Sequence, residues 1–475
     1  MLPINKQIIT KLDSVLEEIY DRWELPGLAV AIIEQTEISF LKTLGFQNLE
    51  THLPLTSQSL FSSMSISKTF TSVAVMQLVE AGRVSLDTPV QEYLPYFKLA
   101  DPRTKQITIR QILSHTSGMP DMDEMEYIRL WKNPQMDAGA AERMVRSLSG
   151  LELAHPPGEA FLYSNIAYNI LGDLIAKVSG VPFETYMRQK VLIPSGMPNS
   201  TFLLDEVPSE LLAMPHLRLP EMTVSPYYPF DRADGPSSNL LTNIVEMGCW
   251  AQMCLNRGKV GGIQVLQPES FATLWTPVVK RNWPPLYAYM GLGWNLGSLQ
   301  DTRTVSHGGA GAGMNAFLLV LPDLGRAGVM MYNAESEAQY NLIDTLKDTL
   351  CDIPPQPGKV DWMVPICQAY HTGGRQGAFQ KCAELQANKS EEFSFEEGSL
   401  IWVVFQMLLA DRYESALDLL DLTIHTYPAF MYARVLRAQV YLEQGINEQA
   451  QKDLLQVIKV EPGNSKAIKL LEGLA

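Results

Sequence analysis

Cysteine is scarce in this chain: five in 475 residues, at positions 249, 254, 351, 367 and 382. So few, and an odd number, exclude a disulfide framework, and the five are expected to be buried free thiols. No CxxC or HExxH spacing occurs, so no dedicated metal site is signalled. Positive charge is also in deficit, with 37 Lys and Arg against 52 Asp and Glu and a formal net charge of −15. Such a surface repels phosphate backbones and anionic lipid, which argues against nucleic acid and membrane partners. A run of roughly 18 uninterrupted apolar residues, the length needed to span a bilayer, is missing. The opening MLPINKQIITKLDSVLEEIYDRW reads as an amphipathic helix. It lacks the apolar core and small-residue cleavage site of a secretory leader, so a cytoplasmic protein is expected.

What is present is an ordinary globular composition, 46% hydrophobic, at a length that implies more than one domain. Residues 1–350 mix two kinds of segment. Strands are expected at 27–35, 36–46, 314–322 and 326–333, rich in branched residues and bounded by turn formers. Helices are expected at 66–81, 108–114, 165–179 and 243–257. Strands at both ends with helices between them predict an α+β domain on an antiparallel sheet. The aperiodic, proline-rich stretch 351–359 is the predicted linker.

Residues 360–475 read as helices only. YESALDLLDLTIHTYP is echoed by NEQAQKDLLQVIKVEP, and Ala416 to Ala450, Leu420 to Leu454, Ile424 to Ile458 and Pro428 to Pro462 are each separated by 34 positions. This period, with a small Ala where helices approach closely, resembles the tetratricopeptide repeat. Ala438 and Tyr441 fit its first helix, whereas Val404 stands where Gly or Ala is usual. The resemblance implies an all-α repeat domain, with a protein partner or self-association as its use and a purely structural helical cap as the alternative.

The chemistry-bearing residues fall in three places. In SMSISKTFTSVAVMQLVEAG, Ser65 and Lys68 open a helix that is apolar on nearly all sides and therefore buried. Positions i and i+3 share a face, so the Lys68 amine reaches the Ser65 hydroxyl. Burial and the positive helix N-terminus both disfavour a protonated Lys68, leaving it able to take the serine proton. Tyr163-Ser164-Asn165 precedes the next helical run; a phenol beside a lysine can have its pKa lowered and can shuttle a proton, while Asn165 could hold Lys68 and a substrate carbonyl. His307-Gly308-Gly309 opens a glycine-rich strand edge where a substrate backbone could approach. Any one of these alone is a common chance pattern.

Together, in this order, they resemble the serine beta-lactamase-related family of penicillin-recognising enzymes, especially the branch of class C beta-lactamases, D-aminopeptidases and related esterases. The phrases ITIRQILSHTSGMP, GRVSLDTPVQEYLP, GVPFETYMRQKVLIPSGM, GPSSNLLTNIVEM and GLGW agree, so the similarity spans residues 5–350. The resemblance implies a beta-lactamase/transpeptidase-like fold, an antiparallel sheet with flanking helices plus a helical subdomain. It implies Ser65 as nucleophile, Lys68 as general base, Tyr163 as partner acid/base and Asn165 as a positioning residue. His307 and Gly309 would line the substrate edge, and the N–H groups of Ser65 and Ala310 would form the oxyanion hole. Neither metal nor organic cofactor is implied, and the partner is a small-molecule or peptide substrate. The sequence departs from the family at the third motif, where beta-lactamases carry Lys-Thr-Gly. A neutral His307 attracts a substrate carboxylate weakly, so ester, amide or D-amino-acid peptide hydrolysis is expected over beta-lactam turnover. The same residues leave open acyl transfer to an acceptor other than water, or an idle first domain serving a repeat-bearing scaffold.

Overall fold

The computed structural model describes residues 3–388 and 392–474. The chain divides into two compact units, one of Met1–His216 with Tyr227–Pro357 and the other of Leu217–Pro226 with Gly358–Ala475. Among the described residues, no helix is long and apolar enough to cross a membrane.

The first unit is built on a nine-stranded sheet. Its strands are β1 (Gly27–Glu34), β2 (Glu37–Asn48), β3 (Leu53–Pro54), β4 (Val279–Lys280), β5 (Tyr289–Met290), β6 (Asn295–Leu299), β7 (Thr302–Gly311), β8 (Met314–Leu321) and β9 (Arg326–Tyr332). Their order is 4-5-6-7-8-9-1-2-3 and each pairing is antiparallel. The N-terminal hairpin thus docks on the last strand, Leu28 facing Tyr332 and Glu34 facing Arg326. Strand β1 reads apolar at nearly every position because both of its faces are covered. Helices α1 (Lys6–Arg22) and α6 (Ala338–Leu350) pack on one face. There Gly328 leaves room for the Leu346 and Leu350 side chains. On the other face Ala29, Ala31 and Ile33 join the main core, which includes helices α2 (Ser67–Glu80), α4 (Asn165–Ser179) and α5 (Ile244–Leu255). Trp250 of α5 stacks on Phe70 of α2 with ring centroids 3.6 Å apart. The expected strands and helices all form, with ends shifted by a few residues.

The last boundary between the units falls after Pro357, inside the predicted linker 351–359. Arg326 Nη1 donates to Leu350 O at 2.8 Å and pairs with Asp352 at 2.7 Å. Asn341 Nδ2 donates to Pro357 O at 2.5 Å. These contacts keep the chain with the first unit as far as Pro357. In return, the segment Leu217–Pro226 belongs to the second unit although it lies in the middle of the first in sequence. The Arg218 N–H donates to Gln406 Oε1 at 2.8 Å, and Glu221 approaches His371 at 2.9 Å.

The second unit is otherwise all-helical apart from one short parallel pairing, Val360–Asp361 with Phe393–Ser394. Helix α7 (Met363–Asn388) is broken at Gly374, which has φ of 59°. It is followed by α8 (Ser399–Leu409), α9 (Tyr413–Thr426), α10 (Met431–Glu443), α11 (Asn447–Val460) and α12 (Ser465–Glu472), each packed on the next. Ala416, Ala438 and Ala450 are fully buried where these helices cross. The cysteines are free throughout the chain, but only Cys254, Cys367 and Cys382 are buried; Cys249 and Cys351 are half-exposed, a partial correction to the expected burial.

Candidate active site

Ser65, the expected nucleophile, sits just outside the helix expected to carry it. Ser65 lies in a 3₁₀ turn, Met64–Ile66, that leads into α2. The preceding Met64 adopts a left-handed φ of 48°, a conformation costing on the order of 1 kcal/mol and met most often where function needs it. Local hydrogen bonds hold the turn: Ser67 Oγ donates to Met64 O at 2.6 Å, and Met64 N–H donates to Ser62 Oγ at 3.3 Å.

Lys68, in the first turn of α2, is completely buried. Its Nζ lies 3.0 Å from Ser65 Oγ, 2.5 Å from Asn165 Oδ1 and 2.8 Å from Ser237 O. Asn165 cannot turn its amide around, because its Nδ2 donates to Asp121 at 2.8 Å. Two of the three neighbours of Nζ can therefore only accept, and the third is a hydroxyl that can accept or donate. A neutral amine fits this arrangement completely, with its two N–H groups on Asn165 and Ser237 and its lone pair on the Ser65 O–H. Burial pushes the Lys68 pKa down to about 7, against the opposing charges of Asp121 and Asp234.

Tyr163 completes the group. Its hydroxyl is hydrogen-bonded to Ser65, and Lys68 Nζ lies 4.9 Å from its ring centroid. The expected lowering of its pKa does not occur. Burial raises it, and the Ser65 hydrogen bond and Arg281 oppose this only in part. The phenol is thus held in its neutral form. His115 stacks on it with centroids 4.2 Å apart, accepts from Ser164 N–H at 3.2 Å, and is kept neutral by burial.

The third element arrives on β7. A Cβ on Gly309 would collide with Ser63 O and lie 2.8 Å from both Met64 Cβ and Ser65 N. Only glycine lets the strand come this close to the nucleophile turn, and the next residue, Ala310, lines the same cavity as Ser65. Asp234, Ser237 and Ser238 line it too, as do Tyr127 and Trp131 of helix α3 (Glu124–Lys132), which follows Asp121 in the chain. His307 is buried, with its Nδ1 2.8 Å from Gly308 O, a group that only accepts, so the proton sits on Nδ1. Burial first, then the nearby Lys68 charge, lower its pKa to about 3.

The residues expected at the site are thus brought together: Ser65, Lys68, Tyr163 and Asn165 by direct contacts, Gly309 and Ala310 against the nucleophile turn, and His307 near enough to feel Lys68. Sequence reasoning missed Asp121, Asp234, Ser237 and His115. Asp121 falls one residue beyond the phrase ITIRQILSHTSGMP, and Ser237 acts through a backbone carbonyl, which leaves no mark on side-chain identity.

The nine-stranded sheet with its flanking helices is the fold of the beta-lactamase and penicillin-binding-protein group, and the sequence comparisons agree. The family described as Beta-lactamase matches residues 12–350, and the chain belongs to that family. It is 26% identical over 337 residues to Protein flp of Staphylococcus aureus strain MW2, covering 71% of this chain and 65% of that protein's length. It is 26% identical over 372 residues to Penicillin-binding protein 4 of Amycolatopsis lactamdurans, covering 74% and 94% respectively. Among solved structures, the octameric penicillin-binding protein homologue from Pyrococcus abyssi superposes with a TM-score of 0.66 at 25% identity, covering 76% of this chain and 80% of the other. The penicillin binding protein from Bacillus halodurans gives 0.58 at 25% identity, covering 71% and 98%.

Proposed function

We propose that the first unit is a serine hydrolase that cleaves an ester or amide through an acyl-enzyme on Ser65, of the esterase, amidase or D-amino-acid peptidase type. The observation that carries this reading is the Lys68 amine, buried and set between Ser65 Oγ at 3.0 Å, Asn165 Oδ1 at 2.5 Å and Ser237 O at 2.8 Å. Neutral Lys68 takes the Ser65 proton as Oγ bonds to the substrate carbonyl carbon. The oxyanion that develops rests on the N–H groups of Ser65 and Ala310. When the carbonyl re-forms, Tyr163 gives its proton to the departing alkoxide or amine and regains one from the Lys68 ammonium. Water then enters, loses a proton along the same path and releases the acid, restoring the Ser65 hydroxyl.

A neutral His307 provides no cation for a substrate carboxylate, which supports weak or absent beta-lactam turnover. The second unit supports a tetratricopeptide-type reading, since α9 and α11 begin at Tyr413 and Asn447, 34 positions apart. We assign it to binding a protein or peptide partner.

The test is intact-mass spectrometry after exposure to short acyl p-nitrophenyl esters, D-amino-acid amides and a penicillin. A transient adduct on Ser65 with esters or amides, and none with Ser65→Ala, is expected. Ester turnover by Ser65→Ala at the wild-type rate would sink the reading. A long-lived penicillin adduct would instead reassign the substrate to the beta-lactam class.

A further inference from the structure

The β7–β8 hairpin that carries Ala310 closes tightly. Gly311 pairs with Met314, so the loop between them is only Ala312 and Gly313, and both have positive φ, 43° and 84°. Two left-handed residues mark a type I′ turn, for which Asn-Gly is the favoured sequence. Ala312 has no side-chain group to stabilise that conformation, which its Cβ disfavours, and it is only 4% exposed. A loop this short also leaves the N–H groups of both its residues outside the strand ladder, and each needs an acceptor. Glu335 supplies it. Its half-buried carboxylate receives the N–H groups of Ala312 and Gly313. A second hold comes from His216, whose main chain lies against Gly313. A Cβ there would sit 2.7 Å from His216 O, and the His216 N–H donates to Gly313 O at 3.4 Å. The tip also meets the site. A Cβ on Gly311 would lie 2.9 Å from Met64 Cε and 3.8 Å from Trp131, and Met64, Trp131 and Ala310 all line the Ser65 cavity.

Resting on the serine hydrolase reading, we infer that Glu335 is a positioning residue for the reaction: by clamping the β7–β8 turn it fixes the aim of the Ala310 N–H that would receive the oxyanion. Ala310 lies two residues from the clamped Ala312, too few planar peptides for the turn to swing without redirecting that N–H. A donor of this kind contributes only when held within about 0.5 Å and 10–20° of its productive geometry. Glu335 does not line the cavity itself and acts through the turn. Burial pushes its carboxyl up to about 7, against the two N–H groups. At pH 8.5 it is therefore ionised and makes charge-assisted bonds to both.

The experiment compares the wild type, Glu335→Leu and Glu335→Gln at pH 8.5, with a p-nitrophenyl acyl ester as substrate and phenylboronic acid as inhibitor. In the boronate adduct a lone pair of Ser65 Oγ bonds to boron while Lys68 takes the hydroxyl proton. The tetrahedral anion that results mimics the oxyanion intermediate. Glu335→Leu, which accepts no hydrogen bond, is expected to lose about tenfold in kcat with KM within about twofold of the wild type. The loss is smaller than for deleting an oxyanion donor, because the N–H is misaimed and not removed. Affinity for the boronic acid should fall by the same factor. Glu335→Gln keeps one acceptor oxygen and should recover most of both, ending about threefold below the wild type. A Glu335→Leu enzyme with wild-type kcat, or one that loses kcat while binding the boronic acid as tightly as before, overturns the proposal. Should the leucine variant not fold, Glu335→Gln decides: parallel threefold losses support the clamp, and wild-type values for both overturn it. Labelling of wild-type Ser65 by a fluorophosphonate is run in parallel. A labelled, active wild type whose rate is indifferent to Glu335 removes only this inference, whereas no labelling and no turnover removes the hydrolase reading and this inference with it.

Discussion

Each unit withdraws a basic side chain from solvent, Lys68 completely and Arg437 in part, and the two do so in opposite ways. In the second unit Arg437 is locked between Asp453 at 2.7 Å and Asp421 at 2.5 Å, and Arg434 reaches the same Asp453 at 3.4 Å. Burial alone would lower the Arg437 pKa, but the hydrogen bonds and charges of Asp453 and Asp421 outweigh it and hold the value up. In the first unit Lys68 touches only neutral acceptors, and burial wins. A fully paired guanidinium is a permanent charge that fixes helices to one another. An unpaired amine near its ionisation point is a group able to change its proton count. The partners of a buried cation therefore separate structural use from chemical use better than its burial does.

The largest effect expected is at the nucleophile. Ser65→Ala should reduce acyl-ester turnover by about 10⁴-fold or more, with Lys68→Met close behind, as in other systems where the two act as a unit; steady-state kinetics and adduct mass check both. The contrast between the units is sharpened by stability. Arg437→Met leaves Asp453 with Arg434 alone and Asp421 with Arg375 alone, and should destabilise the helical unit by about 1 to 2 kcal/mol, less than a fully stranded buried charge would cost. Lys68→Met should be as stable as the wild type or more so, because it removes a desolvated amine and leaves no stranded charge. Urea denaturation of both variants decides this, and equal losses would erase the distinction.

The pH dependence follows from the same asymmetry. The proposed mechanism uses neutral Lys68, so kcat/KM should rise as pH passes upward through about 7 and fall about tenfold for each unit below it. For stability the sign is the same. The native value lies below the unfolded one, so between about 7 and 10.5 the unfolded chain binds more protons. Stability from this group then increases with pH across that window, and its penalty is complete below it. Lys68→Met should flatten that slope. The smallest effect is at Gly309→Ala, where the added methyl meets the nucleophile turn; kcat should drop by about 10²-fold, the scale of losing one oxyanion donor, with little change in fold by circular dichroism.

Much of the first unit was legible because periodicity and turn residues mark its strands and helices directly. Strand β1 could be read from GLAVAIIEQ, and α4 from the apolar run after Asn165. The grouping of Ser65, Lys68, Tyr163 and Asn165 followed from motifs. What could not be read depends on long-range approach. The Tyr163 pKa moves upward since the desolvation around it outweighs the Ser65 and Arg281 contributions, a balance set by tertiary packing. Asp234 reaches the cavity from a segment whose sequence gives no sign of which wall it faces. Ser65 stands in a 3₁₀ turn and not in α2 itself, a distinction that hydrophobic pattern does not encode.

The Leu217–Pro226 segment carries a consequence for how this gene product can be divided. Because the second unit takes ten residues from the interior of the first, the polypeptide passes between the units at 216–217, again at 226–227, and finally at 357–358. A fragment starting at 358 would lack a piece of its own interior, and a protease cut at that point would nick the protein without releasing a free helical domain. No single cut in the chain separates the two units whole.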